Sequence, residues 1–239
     1  MSGFDELWPG GPRFRQEEGS FRLSTDSVLL AYFAEGIRGK QIMDLGCGAG
    51  VLTVLLSAAR PGARVTGVEI QAEAAALCRA NMAANGFPED GILQGDIREA
   101  RAFLPAGAFD LVLSNPPYFA ENRGRSAPEA SRAAARDERF CTLDDLCAAA
   151  GYLCRWGGSF ALVHRPERLS EIFCAMTRHG IEPKRLRLVQ YQAGAAPNLV
   201  LIEGRRGGGP GLRVEAPLLL TGPDGADTEE VRRIYHREH

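Results

Sequence analysis

From residue 40 onward, the sequence alternates short segments rich in β-branched residues with segments of helical periodicity. This alternation is typical of parallel strands joined by helices that cover one sheet. The strand segments are Gln41–Gly46, Arg64–Ile70, Gly91–Gly95, Phe109–Ser114, Ser159–His164, Leu186–Gln190 and Asn198–Glu203. The last two are expected to form a closing antiparallel pair. We therefore predict an α/β fold with a mostly parallel seven-stranded sheet, helices on both faces and an antiparallel closing strand.

The two ends of the chain differ from this α/β unit. A capping sequence, Ser-Thr-Asp, precedes an apolar run that ends near Glu35 and predicts an amphipathic helix. Residues 1–40 are therefore expected to be a helical lead-in, and residues 41–206 the α/β domain that carries the chemistry. A glycine-rich hinge begins at Gly207. Residues 207–239 are expected to be an appendage that packs on this domain or extends from it.

The composition argues against several classes of protein. The longest nearly unbroken apolar stretch, Val51–Ala59, is far shorter than the roughly 20 residues that span a bilayer. Asp5 and Glu6 stand where a signal peptide is positively charged, so we expect a cytoplasmic protein. The six cysteines form no C-x-x-C pair and are expected to be reduced. His236 and His239 have a metal-like spacing, but only at the end of the chain, and we expect no metal site.

A glycine-rich turn follows the first predicted strand. It reads Asp44-Leu45-Gly46-Cys47-Gly48-Ala49-Gly50 and leads into a predicted helix. Glycines let the chain turn sharply and let a ligand approach the backbone closely. A dinucleotide site needs a further glycine where Val51 stands, so an NAD-dependent oxidoreductase is a remote alternative. Asp44 would repel a pyrophosphate, but it suits a ligand with a positive amino group and a sulfonium, such as S-adenosylmethionine.

Two more acids close the next two predicted strands. Glu69 lies about twenty residues beyond the glycines, where an acid accepts hydrogen bonds from ribose hydroxyls. Asp96 ends the third strand, where a carboxylate can accept a hydrogen bond from an adenine amine. Three acids at three successive strand ends predict a nucleoside-binding pocket, with Ile70 and Ile97 beside them.

The fourth strand ends in Asn115-Pro116-Pro117-Tyr118. The prolines fix the backbone and remove two donors, which leaves the Asn115 side-chain oxygen and the Pro116 carbonyl as acceptors. An amino group on an aromatic ring is a poor nucleophile because its lone pair is delocalised. Two acceptors that grip its hydrogens would direct that lone pair at a methyl donor, while Tyr118 stacks on the ring. We therefore predict a catalytic turn formed by Asn115, Pro116, Pro117 and Tyr118.

Together these motifs resemble the class I S-adenosylmethionine-dependent methyltransferases, which implies a Rossmann-like fold. The NPPY turn is similar to that of members that methylate adenine N6, guanine N2 or a glutamine amide. Four further segments resemble the small bacterial enzymes that form N6-methyladenine at position 37, beside the anticodon, in valine tRNA. These segments are Phe21–Ala31, Pro183–Arg187, Asn198–Gly204 and Val231–Tyr235. The resemblance runs along nearly the whole chain.

The resemblance implies a cofactor, S-adenosylmethionine, and a product, S-adenosylhomocysteine. Thr25 stands where similar enzymes approach the cofactor carboxylate, although a helix-capping role is equally consistent with it. Cys47 is expected to fill space and not to act as a nucleophile. The residues placed around the cofactor are Thr25, Asp44, Gly46, Cys47, Gly48, Gly50, Glu69, Ile70, Asp96, Ile97 and Asn115.

A tRNA substrate requires contacts to phosphates. The net charge of −2 does not favour general nucleic-acid binding, but the stretch from Arg178 to Arg213 holds seven cations against two acids. Phe119–Phe140 carries further arginines and is expected to be a mobile lid. The predicted RNA contacts are Arg123, Arg125, Lys184, Arg185, Arg187, Arg205 and Arg206. A monomer is favoured.

Other functions stay open on sequence alone. A ribosomal RNA guanine-N2 enzyme would use the same turn. The methyltransferases that modify a protein glutamine at N5 share this turn as well. Those enzymes look longer at the N-terminus, where they carry a separate helical substrate domain. A DNA enzyme would need a recognition domain larger than the residues after the glycine hinge provide. A non-catalytic nucleotide- or RNA-binding module would bind the cofactor without turnover.

Overall fold

The computed structural model describes residues 4–15, 25–117 and 141–237. Short 3-10 turns at Ile97–Glu99 and Pro166–Arg168 precede two of the helices. The elements are β1 (Phe4–Glu6), β2 (Arg13–Arg15), α1 (Thr25–Ala34), β3 (Gln41–Leu45), α2 (Val51–Ala59), β4 (Arg64–Glu69), α3 (Ala72–Ala84), β5 (Ile92–Gln94), α4 (Ala100–Phe103), β6 (Phe109–Ser114), α5 (Leu143–Leu153), β7 (Cys154–His164), α6 (Leu169–Arg178), β8 (Ile181–Gln190), β9 (Pro197–Arg206), β10 (Arg213–Val214), β11 (Leu218–Leu219) and α7 (Glu229–Ile234).

The central sheet has the strand order β5-β4-β3-β6-β7-β9-β8. Among the described strands of this sheet, β9 alone runs antiparallel to its neighbours, β7 and β8. The predicted mostly parallel sheet with an antiparallel closing strand is therefore confirmed. The sheet is wider than the seven strands predicted, because β10 and β11 both pair with β8 and bring its strands to nine. Strands of two residues are too short to leave a periodic signal in the sequence.

Helices cover both faces of the sheet because side chains alternate along each strand. Ile42, Leu111 and Val163 pack against α1 and α2. Their neighbours Met43 and Val112 face the opposite way and pack against α5 and α6. The central strands β3 and β6 are thus buried on both faces, as a doubly wound sheet requires.

The lead-in contains a β-hairpin as well as the predicted helix. In β2, Phe14 is 1% exposed and packs with Cys78 and Met82 of α3. The backbone N–H of Arg13 donates to the side chain of Asn85 at 2.8 Å. The hairpin strands have three residues each and an almost fully exposed pattern, so periodicity could not predict them.

The described part of the C-terminal region packs on the sheet edge and on α1. Arg187 of β8 forms a bidentate ion pair with Glu230 of α7, at 2.6 and 2.8 Å. The rings of Trp8 and His236 lie 4.4 Å apart, so the turn between β1 and β2 contacts the residues that follow α7. The domain boundaries at residues 40 and 206 stay a prediction.

Strand β7 starts at Cys154, five residues before the predicted start at Ser159, and follows directly on α5, which ends at Leu153. Thr142 caps α5 through a capping box.

Among the described residues, no helix combines the length and the apolar character needed to cross a membrane. The same residues hold no cluster of three or more potential metal ligands.

Candidate active site

The candidate site lies along the edge where β3, β4, β5 and β6 end. These strands are parallel, so Asp44, Glu69, Asp96 and Asn115 are carried to the same edge. From β3 the chain first continues outward through β4 and β5, and it then returns on the other side of β3 as β6. Ligands of open α/β sheets bind at such a switch point.

The glycine turn adopts a backbone that only glycine accepts without strain. Gly46, Gly48 and Gly50 have φ values of 74°, 53° and 88°, all in the left-handed region. Gly46 and Cys47 donate their N–H groups to Val68 O at 2.9 and 3.0 Å, which fixes the turn on β4. No described atom lies within 4 Å of a Cβ built on Gly46 or Gly48. The turn therefore borders open space that a ligand could fill.

Asp44 is buried beneath this turn with 1% of its surface exposed. Its Oδ2 accepts a hydrogen bond from Thr53 Oγ1 at 2.7 Å. Burial raises the pKa of Asp44 to about 7, against the opposing effect of Thr53, and the charge of Glu69 raises it further. A positive group that approaches Asp44 would therefore be met by a carboxyl group poised to ionise near neutral pH.

The raised pKa of Asp44 predicts a specific pH dependence of stability. The folded chain holds this proton up to about pH 7, whereas the unfolded chain loses it near the usual value of 3.8. The stabilisation is complete below pH 4 and is lost as the pH rises to about 7, at up to about 1.4 kcal/mol per pH unit from this group. Between pH 5 and 7 we expect the free energy of unfolding of the parent to fall by about 2 kcal/mol more than that of Asp44→Asn, measured by urea denaturation.

The Asp44→Asn variant is the matched control because it removes one titrating group and leaves all others in place. Parallel curves for the two proteins from pH 5 to 8 would contradict a raised pKa at Asp44.

Glu69 is buried beside the glycine turn at 7% exposure. Its Oε2 accepts from Gly48 N and its Oε1 from Gln71 N, each at 2.9 Å. Each carboxylate oxygen has a further lone pair, so both can still accept a hydroxyl hydrogen bond. The next residue, Ile70, is 38% exposed and offers an apolar surface at the same edge.

Asp96 caps the 3-10 turn that begins at Ile97. Its Oδ1 accepts from Arg98 N at 2.9 Å, and its Oδ2 pairs with Arg98 Nη2 at 2.5 Å. Hydrogen bonding to Arg98 lowers the pKa of Asp96, so its carboxylate is charged. Ile97 lies next to it and is half-buried. Any ligand amine would share this carboxylate with Arg98.

Asn115 is held at the end of β6 by α1. Its Nδ2 donates to Ser27 Oγ at 2.9 Å, which also orients the amide oxygen. Ser114 Oγ donates to Leu45 O at 2.7 Å and ties this strand end to the end of β3. Pro116 is half-buried and Pro117 is exposed. Tyr118, Arg123, Arg125 and the lid predicted at Phe119–Phe140 lie outside the described residues.

Thr25 and Cys47 are the other two predicted cofactor residues with side-chain contacts of their own. Thr25 is the first residue of α1, is exposed and hydrogen-bonds the Tyr235 hydroxyl. Cys47 is 7% exposed, and a hydrogen bond with Cys78 together with burial raises its pKa well above the usual value. A thiol in this state is a poor nucleophile.

Sequence reasoning missed three supporting side chains. Ser27 orients Asn115, Thr53 binds Asp44, and Asn81 donates from Nδ2 to Ala49 O of the glycine turn at 2.8 Å. Asn81 is fully buried and also accepts from Arg15 N, so it joins the turn to the hairpin. Asn81 could have been predicted from one signal, a polar residue on the buried side of an alanine-rich helix.

The predicted RNA-binding cations in the described residues have partners inside the protein or lie far from Asn115. Arg185 pairs with Glu203 at 2.8 Å and lies 3.7 Å from the centre of the Phe33 ring. Lys184 donates to Gly209 O at 2.8 Å, and Arg187 binds Glu230 as described. Arg205 and Arg206 end β9, which runs antiparallel, so they lie at the edge of the sheet opposite to Asn115. Their role in RNA binding stays a prediction.

The chain is similar in sequence and in fold to known methyltransferases. Residues 22–137 match the family model described as "Methyltransferase small domain". A Porphyromonas gingivalis protein named tRNA1(Val) (adenine(37)-N6)-methyltransferase is 32% identical over 193 residues, which cover 78% of this chain and 75% of that protein. A Dickeya chrysanthemi protein of the same name is 33% identical over 211 residues, which cover 84% and 81%.

Among solved structures, a predicted O-methyltransferase from Agrobacterium tumefaciens is similar in fold. Its TM-score is 0.73 at 24% identity, over 89% of this chain and 96% of the other. At this identity the similarity shows the fold alone, which agrees with the strand order described above.

Proposed function

Because this chain belongs to the family of the tRNA1(Val) (adenine(37)-N6)-methyltransferases, we propose that it transfers a methyl group from S-adenosylmethionine to N6 of an adenine in tRNA. The proposed target is adenine 37 of valine tRNA, the nucleotide that its relatives are named for. The observation that carries the proposal is the placement of Asn115 and Pro116 at the same sheet edge as the glycine turn.

The residues of the switch point fit the proposed cofactor. Open space over Gly46 and Gly48 leaves room for the cofactor, and Asp44, once ionised, would supply the negative charge that the cofactor's amino group requires. Glu69 is proposed to accept hydrogen bonds from the ribose hydroxyls of the cofactor, and Ile70 to contact the face of the cofactor's adenine ring. Asp96 and Ile97 are proposed to bind the edge of the same ring. When bound, S-adenosylmethionine supplies an electrophilic methyl group.

The target base is proposed to be held by the NPPY turn. The Asn115 amide oxygen and the Pro116 carbonyl would accept the two hydrogens of the adenine amino group. These two hydrogen bonds favour a pyramidal nitrogen whose lone pair is directed at the methyl group. Positioning of the two reacting groups then supplies much of the rate enhancement. Tyr118 would stack on the base. The methylated nitrogen then loses one proton to solvent, so no group of the turn has to titrate.

The proposal is tested by incubating the protein with labelled S-adenosylmethionine and unmodified total tRNA, followed by nucleoside analysis. We expect N6-methyladenosine in valine tRNA. A transcript with adenine 37 replaced by guanine is the matched control and should remain unlabelled.

The alternatives make different predictions in the same assay. Label in N2-methylguanosine of ribosomal RNA, or in a protein glutamine, would show that the NPPY turn binds the planar amino group of a different substrate. Cofactor binding without label in any of these acceptors would instead indicate a non-catalytic module.

A further inference from the structure

A broad cleft lies at the edge of the sheet opposite to Asn115. Its volume is about 800 Å³. It borders the end of α5, the start of β7, the end of α6 and the end of β9. Its principal lining side chains are Arg101, Tyr152, Trp156, Arg178, His179 and Arg206.

A narrower cleft of about 100 Å³ continues from it toward the candidate active site. The two clefts share Arg101, Ala148 and Tyr152. The narrow cleft ends at Ile97 and Arg98, next to Asp96. The two clefts adjoin at Arg101 and Tyr152, where the guanidinium group lies 4.5 Å from the centre of the ring, and together they line a groove between α5 and residues 97–103. Between the edge of the sheet that carries Asp96 and the opposite edge, β6 has six residues, a length of about 20 Å.

Four arginines line this groove, and we call it the arginine groove: Arg98, Arg101, Arg178 and Arg206. Among the residues that line the groove, Asp145 is acidic. Its Oδ2 accepts hydrogen bonds from the backbone N–H and the hydroxyl group of Thr142, within the capping box of α5. Arg98 pairs with Asp96 and Arg178 with Asp144, each at 2.5 Å. Exposed ion pairs of this kind contribute little free energy, so a phosphate can replace the carboxylate as the partner of either arginine.

Trp156 stands at the wide end of the groove. The pairing of β6 with β7 shifts between Phe109/Cys154 and Leu111/Ser159, so residues 155–158 bulge from the sheet. The Trp156 ring rests against Gly207, yet 76% of the residue is exposed. An aromatic ring that is supported on one side and open on the other is a stacking platform for an unpaired base.

We propose that the arginine groove binds the phosphodiester backbone of the RNA substrate beyond the target nucleotide, with Trp156 stacking on one of its bases. The proposal rests on the proposed function in requiring an RNA substrate. A groove of this length exceeds a single nucleotide, and its combination of guanidinium groups with the exposed ring of Trp156 fits a nucleic acid strand better than an acidic peptide.

The test measures the affinity of the full-length chain for unmodified valine tRNA transcript over a series of salt concentrations. We expect Trp156→Ala to weaken binding by about tenfold through lost stacking. Arg101→Gln should weaken binding and lower the salt slope by roughly one, because one phosphate contact is lost. Both variants should bind S-adenosylmethionine as the parent does, since neither residue touches the glycine turn.

Arg64→Gln is the matched control. Arg64 begins β4 at the same edge of the sheet, is 65% exposed and pairs with Asp90, but it lies outside the groove. Its tRNA affinity should equal that of the parent. Groove variants that bind tRNA like Arg64→Gln would overturn the proposal while leaving the proposed function intact. A parent that binds the cofactor but no RNA would overturn both.

Discussion

Replacing Asn115 by alanine is expected to reduce kcat by about 10²–10³-fold, the usual cost of removing one preorganised hydrogen-bonding group from a transition state. The amide oxygen is proposed to hold one hydrogen of the target amino group, and alanine leaves nothing in its place. Single-turnover methyl transfer to valine tRNA measures the chemical step directly. Asn115 is also one of the residues predicted around the cofactor, but the glycine turn, Asp44 and Glu69 are untouched, so calorimetry should show that the variant still binds S-adenosylmethionine.

Ser27→Ala separates orientation from direct contact. Ser27 Oγ accepts a hydrogen bond from the Asn115 amide nitrogen at 2.9 Å, but Ser27 belongs to α1 and is not part of the NPPY turn. Its loss leaves the Asn115 oxygen present and less firmly oriented, so we expect a loss of about tenfold in kcat. Equal rates for Asn115→Ala and the parent would remove Asn115 from the proposed chemistry. A Ser27→Ala variant as slow as Asn115→Ala would instead show that orientation is the whole effect.

The positions of Asp44, Glu69 and Asn115 could be predicted because each closes or directly follows a strand with a clear apolar signal. Parallel topology then requires those strand ends to share one edge. The glycine turn was predictable for the same local reason, since the left-handed φ values at Gly46, Gly48 and Gly50 need that residue type.

The supporting contacts could not be predicted because they join distant parts of the chain. Ser27 and Asn115 are 88 residues apart, and Asn81 and Ala49 are 32 apart. No local pattern encodes which serine meets which asparagine. Only the packing of α1 and α3 on the sheet brings these pairs within hydrogen-bond distance.

The basic run from Arg178 to Arg213 shows how charge in sequence differs from charge in space. Antiparallel pairing of β8 with β9 places Arg185 opposite Glu203, so a cation of the run is neutralised by an acid eighteen residues away. The arginine groove instead gathers residues from four separate elements, including Arg98 and Arg101 from outside the run. A count of charges along the chain detects neither effect.

Gly50→Ala is expected to cost about 2–5 kcal/mol in the free energy of unfolding and at least tenfold in cofactor affinity. An alanine at φ 88° pays about 1–2 kcal/mol for the left-handed backbone. Its Cβ would also lie 2.5 Å from Cys78 Sγ, and such overpacking costs about 1–3 kcal/mol more. To relieve the clash, the glycine turn must move away from α3, and the cofactor contacts move with it. Urea denaturation and calorimetry measure the two losses.

Gly62→Ala isolates the backbone cost. Gly62 has a φ of 83°, and no described atom lies within 4 Å of a Cβ built there, so only about 1–2 kcal/mol should be lost and cofactor affinity should not change. The double variant Gly50→Ala/Cys78→Ala should then recover the steric part, because it removes the Sγ that the new methyl group meets. If the two glycine variants were equally unstable and the double variant recovered nothing, the close approach of the turn to α3 would carry no energetic weight. Recovery of cofactor affinity together with stability would show that the packing of Gly50 on Cys78 sets the position of the turn.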